Sequence, residues 1–111
     1  MTRAAIAIWC SLLTMPACAQ GIVIKGTIDC GQWISAREQS SAGYLEHYVL
    51  GVLNGLAIGR FTEFWRAGGQ PAPSRDAIYL WIDGYCRAHP LEDVFRAAGV
   101  LFNERSGWKP N

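Results

Sequence analysis

Apolar side chains recur at helical spacing through most of the chain and divide it into segments separated by glycine and proline. Between residues 42 and 66, apolar positions three and four residues apart predict the longest helix. Ser40 and Ser41 precede this segment and offer an N-cap. Because the segment is apolar nearly all round, we expect it to be buried at the centre of the fold.

Two more helices are predicted after residues 67–74, where two glycines and two prolines cannot continue a helix. Ser74 is expected to cap the first of them. The apolar stripe of that helix comprises Ile78, Trp81, Ile82, Tyr85 and Cys86. His89 and Pro90 end it, and Pro90 suits the first turn of the last helix. The stripe of the last helix covers residues 91–104.

The start of the chain, residues 1–19, matches a secretory signal peptide. Arg3 precedes an apolar run of about ten residues, and Ala17-Cys18-Ala19 supplies the small residues that signal peptidase recognises before Gln20. The run is shorter than the roughly 20 apolar residues that a membrane span requires. We therefore expect a periplasmic or secreted protein with no stable membrane span after cleavage.

Cleavage would leave residues 20–111 as a single small helical domain whose only thiols are Cys30 and Cys86. An even pair of cysteines in an oxidising compartment indicates one disulfide. Closing a loop of about 57 residues would add roughly 4 kcal/mol to the stability of the fold. Because residues 15–18 loosely resemble a lipobox, a lipoprotein anchored at Cys18 is the minority alternative, and it retains the same cysteine pair.

The residues before the longest helix complete the predicted architecture. Residues 21–29 are bounded by glycine and alternate weakly, which predicts an extended N-terminal arm, and residues 33–38 have room for a short helix. The predicted fold is therefore all-α: a small disulfide-stapled bundle of three main helices, with a short N-terminal helix as an optional addition and an extended N-terminal arm.

The charges exclude some classes of partner. Removal of Arg3 with the signal peptide leaves nine basic and nine acidic residues, because the full chain has ten and nine. No basic stripe follows any predicted helix, which argues against nucleic acid as a partner. In strong acid the nine carboxylates become neutral and the two histidines charged, so the net charge rises to about +11.

The sequence contains few residues in the arrangements that catalysis or metal binding requires. His47 and His89 lie in neither a catalytic nor a metal-binding spacing, and no glycine-flanked nucleophile motif surrounds any serine. We therefore expect no catalytic site, no metal, no cofactor and no enzymatic activity. Asp83 lies four residues before Arg87, a spacing typical of a surface ion pair.

Two groups of residues are candidates for contact. Gly51, Gly55 and Gly59 share one face of the longest helix, and three helix-interior glycines need a reason because each costs about 1 kcal/mol relative to alanine. Close packing against another helix or a large aromatic side chain is the first interpretation, and a groove for a partner or ligand is the second. The other group consists of aromatic residues outside the apolar stripes, which we expect to bind a partner: Tyr44, Trp65, Tyr79 and Trp108.

Several short motifs together resemble a known group of exported helical proteins. They are Cys30-Gly31-Gln32-Trp33, Tyr48-Val49-Leu50-Gly51, Asn54-Gly55-Leu56, Trp81-Ile82, Tyr85-Cys86, His89-Pro90-Leu91 and Ala97-Ala98. This arrangement is similar to the Tai/Rap family of immunity proteins, which protect bacteria from type VI secretion amidases. More distantly, it resembles the HdeA acid-stress chaperones, which are periplasmic helical proteins with one disulfide.

Two functions follow from these observations. The resemblance to immunity proteins implies a binding module that blocks one protein partner, a secreted toxin. The resemblance to acid-stress chaperones implies a protein that opens at low pH and exposes its apolar helices. The well-patterned core and the excess of arginine over lysine favour the binding module, and a homodimer is compatible with either function.

Overall fold

The computed structural model describes residues 21–111, so the expected signal peptide and the alternative anchor at Cys18 lie outside the described residues. The helices are α1 (Cys30–Glu38), α2 (Gly43–Gly59), α3 (Arg75–Ala88) and α4 (Val94–Ser106), with a 3-10 turn at Ala67–Gly69. Across the described part of the chain, β pairing is limited to one isolated bridge between Asp29 and Asp93. The predicted all-α fold, including the short N-terminal helix, is confirmed.

The N-terminal helix α1 begins three residues earlier than its apolar pattern predicted because Asp29 caps it. The Asp29 carboxylate accepts a 2.7 Å hydrogen bond from the Gln32 backbone, and the Gln32 side chain accepts one from the Asp29 backbone, which forms a capping box. The arm before it is extended and attached to the start of α4, where the Val94 amide donates to the Ile28 carbonyl.

The turn between α1 and α2 differs from the prediction. Ser40 and Ser41 do not cap α2, whose N-cap is Ala42 without a side-chain hydrogen bond. Both serines instead end α1 in a Schellman motif: the Ser41 amide donates to the Ala36 carbonyl and the Ser40 amide to the Arg37 carbonyl. Ser40 has a φ of 53°, the left-handed conformation that this motif requires.

Helix α2 ends at Gly59, so the predicted end at Arg66 is wrong. A second Schellman motif terminates it, in which the Thr62 amide donates to the Ala57 carbonyl and the Phe61 amide to the Ile58 carbonyl. Phe61 occupies the left-handed position with a φ of 50°. Because glycine usually occupies this position and phenylalanine does not, the sequence carried no signal for the helix end.

The expectation that α2 is buried on all sides is also wrong. Leu45, Val49 and Leu53 form its buried side, which packs against α4. The opposite side faces solvent, where Tyr44 and Ile58 are 75% and 79% exposed. Helix α2 therefore lies at the surface of the domain, although it carries apolar residues on both sides.

The other helices bury one face each, with shifts from the predicted stripes. Helix α3 packs on α1 and α4 through a buried face that includes Tyr79 and Asp83, while Trp81 and Tyr85 are only partly buried and stack at 5.6 Å. Helix α4 begins at Val94 because the Asp93 side chain caps it, so Leu91 lies before the helix and is fully exposed rather than part of the apolar stripe.

The predicted disulfide joins α1 to α3. Cys30 and Cys86 are bonded with their Cα atoms 4.9 Å apart, and both residues are buried. Beyond the disulfide, Arg105 of α4 fixes the segment between α2 and α3 by donating from its guanidinium to the carbonyls of Phe64 and Trp65, at 2.9 and 2.8 Å, and of Pro71 at 3.2 Å.

The sequence predicted that Asp83 pairs with Arg87 at the surface, and this prediction is wrong. Asp83 does not pair with Arg87; it is 5% exposed and accepts a 2.7 Å hydrogen bond from the indole nitrogen of Trp33. The Arg37 guanidinium donates to both carboxylate oxygens of Asp83 and also to Glu46 of α2 at 2.9 Å. Asp83 and its partners thus connect α1, α2 and α3.

Replacing Asp83→Asn should lower the free energy of unfolding by about 2 kcal/mol. This is less than the roughly 3–5 kcal/mol for removing one partner of a fully buried ion pair, because the amide oxygen can still accept from Trp33 and Arg37 is partly exposed. Urea unfolding at neutral pH with the disulfide intact measures the loss.

The matched control is Glu92→Gln, which removes the surface ion pair with Arg96 at 3.2 Å. That substitution should cost about 0.5 kcal/mol or less. Equal unfolding midpoints for the two variants would contradict the structural role assigned to Asp83.

Candidate partner-binding surface

Of the four aromatic residues predicted to bind a partner, Tyr79 is in the core. It is 5% exposed, and its ring lies 6.2 Å from the ring of Trp33 and 5.7 Å from the guanidinium carbon of Arg37. The expectation that it contributes to an exposed contact surface is therefore wrong, because the buried face of α3 is rotated toward it. Substitution of Tyr79 would disturb the core and cannot report on partner binding alone.

Trp65 and Trp108 are partly buried and each is held by a polar neighbour. The Trp65 indole donates a 2.8 Å hydrogen bond to the Asn54 side chain of α2. The Arg60 guanidinium lies 3.7 Å from the centre of the Trp108 ring and also donates to Asn103 at 2.6 Å. Trp108 therefore fastens the C-terminal segment to the end of α2, while Trp65 stays partly exposed.

The predicted close packing of the glycines does not occur within the described residues. Gly51, Gly55 and Gly59 are exposed, and a Cβ atom placed on any of them meets nothing within 4 Å. Because glycine has no side chain, these three positions instead leave the backbone uncovered on the solvent-exposed side of α2. Of the two interpretations, packing against another part of residues 21–111 is wrong, and a surface for a partner remains a prediction.

The exposed side of α2 forms a continuous, uncharged surface. We call this the α2 face and define it by five exposed residues at helical spacing: Tyr44, His47, Gly51, Gly55 and Ile58. The helix contains a single residue among Asp, Glu, Lys and Arg, namely Glu46, and that carboxylate points away to Arg37. Depletion of charge together with exposed aromatic residues is typical of the centre of protein interfaces.

The α2 face ends in a shallow apolar groove of about 410 Å³. We call it the Phe61 groove, and it is lined by Ala57, Ile58, Phe61, Thr62, Glu63 and Trp65. Phe61 is 98% exposed, although a side chain of this size normally gains stability by burial. Sequence reasoning missed Phe61 because its place in the apolar pattern suggested a residue inside the helix.

The strain at Phe61 is not repaid by contacts within the chain. A non-glycine residue in the left-handed conformation costs roughly 1–2 kcal/mol, and the side chain of Phe61 is almost entirely in solvent. The Schellman motif that ends α2 uses this backbone conformation, as the motif at Ser40 does, so the feature specific to residue 61 is the exposed aromatic ring. Leu80 and Leu91 are exposed as well, but they stand singly on other elements and carry no such strain.

Other chemistry is limited in the part of the chain that the structure describes. Residues 21–111 contain no group of three or more His, Cys, Asp or Glu side chains arranged to hold a metal ion. The ring of His47 contacts the Gly43 carbonyl at 2.7 Å, and that of His89 contacts the Tyr85 carbonyl at 3.0 Å and stacks on the Tyr85 ring. Both imidazoles thus contact carbonyls of their own helices.

Burial and ion pairing shift a few titratable groups. Hydrogen bonding to Asp83 is the main cause that raises the pKa of Arg37, so the guanidinium stays charged throughout the accessible pH range. Burial raises the pKa of the Tyr79 phenol, and Glu46 adds to the effect. Burial also raises the pKa of Tyr48, with a contribution from Asp93.

None of the helices between residues 21 and 111 is both long enough and apolar enough to cross a membrane.

Comparison of the chain with models of protein families, with curated proteins and with solved structures finds no match in any of the three.

Alkaline pH should destabilise the fold through Tyr48 and Tyr79. Because both phenols have a raised pKa in the folded state, their contribution to stability is complete below about pH 10 and is lost as the pH rises through the folded values. The ultraviolet absorbance of phenolate should therefore appear at higher pH in the native protein than in the urea-unfolded protein.

The variant Tyr79→Phe measures how much of this pH difference between native and unfolded protein comes from Tyr79, because it removes one buried phenol and keeps the ring. Its native and unfolded titration curves should lie closer together than those of the wild type. Coincident curves in the wild type would contradict the burial of both phenols.

Proposed function

We propose that this protein is an exported binding module that captures one folded protein partner, in the manner of an immunity protein that blocks a secreted toxin. The observation that carries the proposal is Phe61, a strained and almost fully exposed aromatic residue at the edge of an apolar groove. Truncation of interface aromatics typically costs about 2 kcal/mol or more of binding energy.

The rigidity of the surface supports this proposal. The Schellman motif fixes the backbone of Phe61, and Arg105 holds the following segment through the carbonyls of Phe64 and Trp65. A partner would therefore meet a backbone that is already ordered, so little backbone conformational entropy is lost on binding. The open form of the groove suits the side chains of another protein better than an enclosed small molecule.

An acid-stress chaperone is the second candidate, and the position of Asp83 favours it. One carboxylate joins three helices through Trp33 and Arg37, with Glu46 bound to the same guanidinium. Protonation of these two carboxylates would remove the charge that holds Arg37, while the disulfide would keep α1 attached to α3. A chain opened in this way would expose apolar surface at a high positive net charge.

Phe61→Gly separates binding from stability. Because glycine adopts the left-handed conformation without strain, the variant should be more stable than the wild type by about 1 kcal/mol. It should nevertheless fail to retain the partner in a pull-down from periplasmic extract at neutral pH. Loss of the complex in a stabilised variant cannot be attributed to unfolding.

Ser40→Gly is the matched control, because Ser40 occupies the same left-handed position at the end of α1. It should gain similar stability and keep the partner. Equal retention by wild type and Phe61→Gly would contradict the proposed site. Protection of an aggregation-prone client in acid, with no stoichiometric partner at neutral pH, would favour the chaperone.

A further inference from the structure

The N-terminal arm leaves three consecutive apolar side chains in solvent. Ile22, Val23 and Ile24 are 92%, 80% and 44% exposed, and Lys25 follows them directly. Elsewhere in residues 21–111 the large exposed hydrophobic residues stand singly in the sequence. Apolar side chains of this size gain stability by burial, and a contiguous exposed apolar stretch marks a site of contact. The arm therefore lacks a partner within the part of the chain that the structure describes.

The backbone of the arm has no partner there either. Residues 21–27 form no backbone–backbone hydrogen bond within residues 21–111. The arm is attached at its end, where the Ile28 carbonyl accepts a 2.7 Å hydrogen bond from the Val94 amide. Gly26 has a φ of 75°, a left-handed conformation that glycine adopts without strain. The bend at Gly26 therefore separates the apolar stretch from the attached end of the arm.

The Phe61 groove offers apolar walls and one unpaired charge. The Trp65 indole and the Thr62 hydroxyl are the side-chain donors of its lining, and both already donate within the chain, at 2.8 and 2.9 Å. The Glu63 carboxylate accepts a hydrogen bond from a backbone amide but forms no ion pair within residues 21–111. The groove therefore suits an occupant with apolar side chains and a neighbouring cation.

We infer that the arm of one copy fills the Phe61 groove of a second copy, with Lys25 paired to Glu63. A lysine that directly follows three apolar side chains is complementary to a carboxylate at the edge of an apolar groove. Adjacent residues of an extended segment are only about 3.3 Å apart, so the apolar contacts and the ion pair can form together. Since each copy has one arm and one groove, reciprocal exchange between two copies uses both and closes the assembly.

The arm of the same chain is too short to fill the groove. It is attached beside Val94 at the start of α4, whereas the groove lies close to the end of α4, where Arg60 bonds to Asn103 at 2.6 Å. Val94 and Asn103 are nine residues apart, which is about 13 Å along the helix. The four residues from Ile28 to Ile24 span at most about 14 Å. No length remains to cross from α4 to the solvent-exposed side of α2.

Exchange of arms regulates the proposed binding site. The arm of the second copy covers the groove that Phe61 lines, so a protein partner must displace the arm before it can bind. Capture of a partner is therefore weaker at protein concentrations at which the copies associate. This competition rests on the proposed function, whereas the exchange of arms does not.

Disulfide cross-linking between two variants tests the contact directly. In protein of residues 20–111 with its native disulfide intact, mild oxidation of a mixture of Ile24→Cys and Thr62→Cys should yield a covalent dimer of the two variants. Ile24→Cys mixed with Leu80→Cys is the control, because Leu80 is exposed on α3 and does not line the groove. Equal yields in the two mixtures would overturn the inference.

Reversal of the two charges tests the ion pair. Lys25→Glu and Glu63→Lys should each weaken self-association, measured by sedimentation, by roughly fivefold, because like charges then face each other. The double variant restores opposite charges and should associate as the wild type does. Glu63→Lys also removes the hydrogen bond to the Arg66 amide, so restoration in the double variant is the decisive result. A double variant no stronger than the single variants would contradict the pairing.

Two more outcomes would overturn the exchange. One is a wild-type protein that sediments as a monomer at about 100 μM. The other is a chain carrying both Ile24→Cys and Thr62→Cys that oxidises to a monomer with an internal bond between these positions, which would place the arm in its own groove.

The exchange and the proposed function fail separately. A monomeric wild type that still captures a partner through Phe61 removes the exchange and leaves the proposed function standing. Cross-linking of Ile24→Cys to Thr62→Cys above the control, without any neutral-pH partner, leaves the exchange standing and removes the immunity-type function.

Discussion

The arrangement of the helices depends on the carboxylate of Asp83. Apolar packing in a small domain is marginal and does not by itself select one helix orientation among several. Asp83 must find partners because an unpaired buried charge is costly, and it finds them in Trp33 and Arg37 of α1. Since Arg37 also binds Glu46, the same guanidinium orients α2. The disulfide brings α1 and α3 together, and the carboxylate determines how they face each other.

This orientation explains why α2 lies at the surface. Leu45, Val49 and Leu53 point toward α4, and Glu46 points toward Arg37, so the remaining side of the helix has no neighbour among residues 21–111. Apolar residues on that side do not contribute to the core of this domain. The α2 face therefore stays exposed, and Phe61 lies next to it in the groove that Ile58 also lines.

The sequence was sufficient for the features that depend on local chemistry and failed for those that depend on tertiary contacts. The disulfide followed from the number of cysteines, and the break after α2 followed from Gly68, Gly69 and the prolines. The burial of Asp83 could not be deduced, because its spacing from Arg87 fits a surface pair equally well. The end of α2 was missed because Phe61 occupies a glycine position, and the burial of Tyr79 depended on the rotation of α3. The proposed partner surface was thus predicted only in part, through Tyr44, Trp65 and the glycines.

The way in which Arg105 holds the segment after α2 has an evolutionary consequence. Its guanidinium contacts carbonyl oxygens of Phe64, Trp65 and Pro71, and every amino acid carries a carbonyl. These three hydrogen bonds therefore do not depend on which side chains the segment displays, whereas the buried ring of Phe64 and the positive φ of Gly68 and Gly69 do restrict the sequence. Other exposed positions in the segment can mutate without loss of these hydrogen bonds, so its surface can diverge between related chains while the scaffold stays the same.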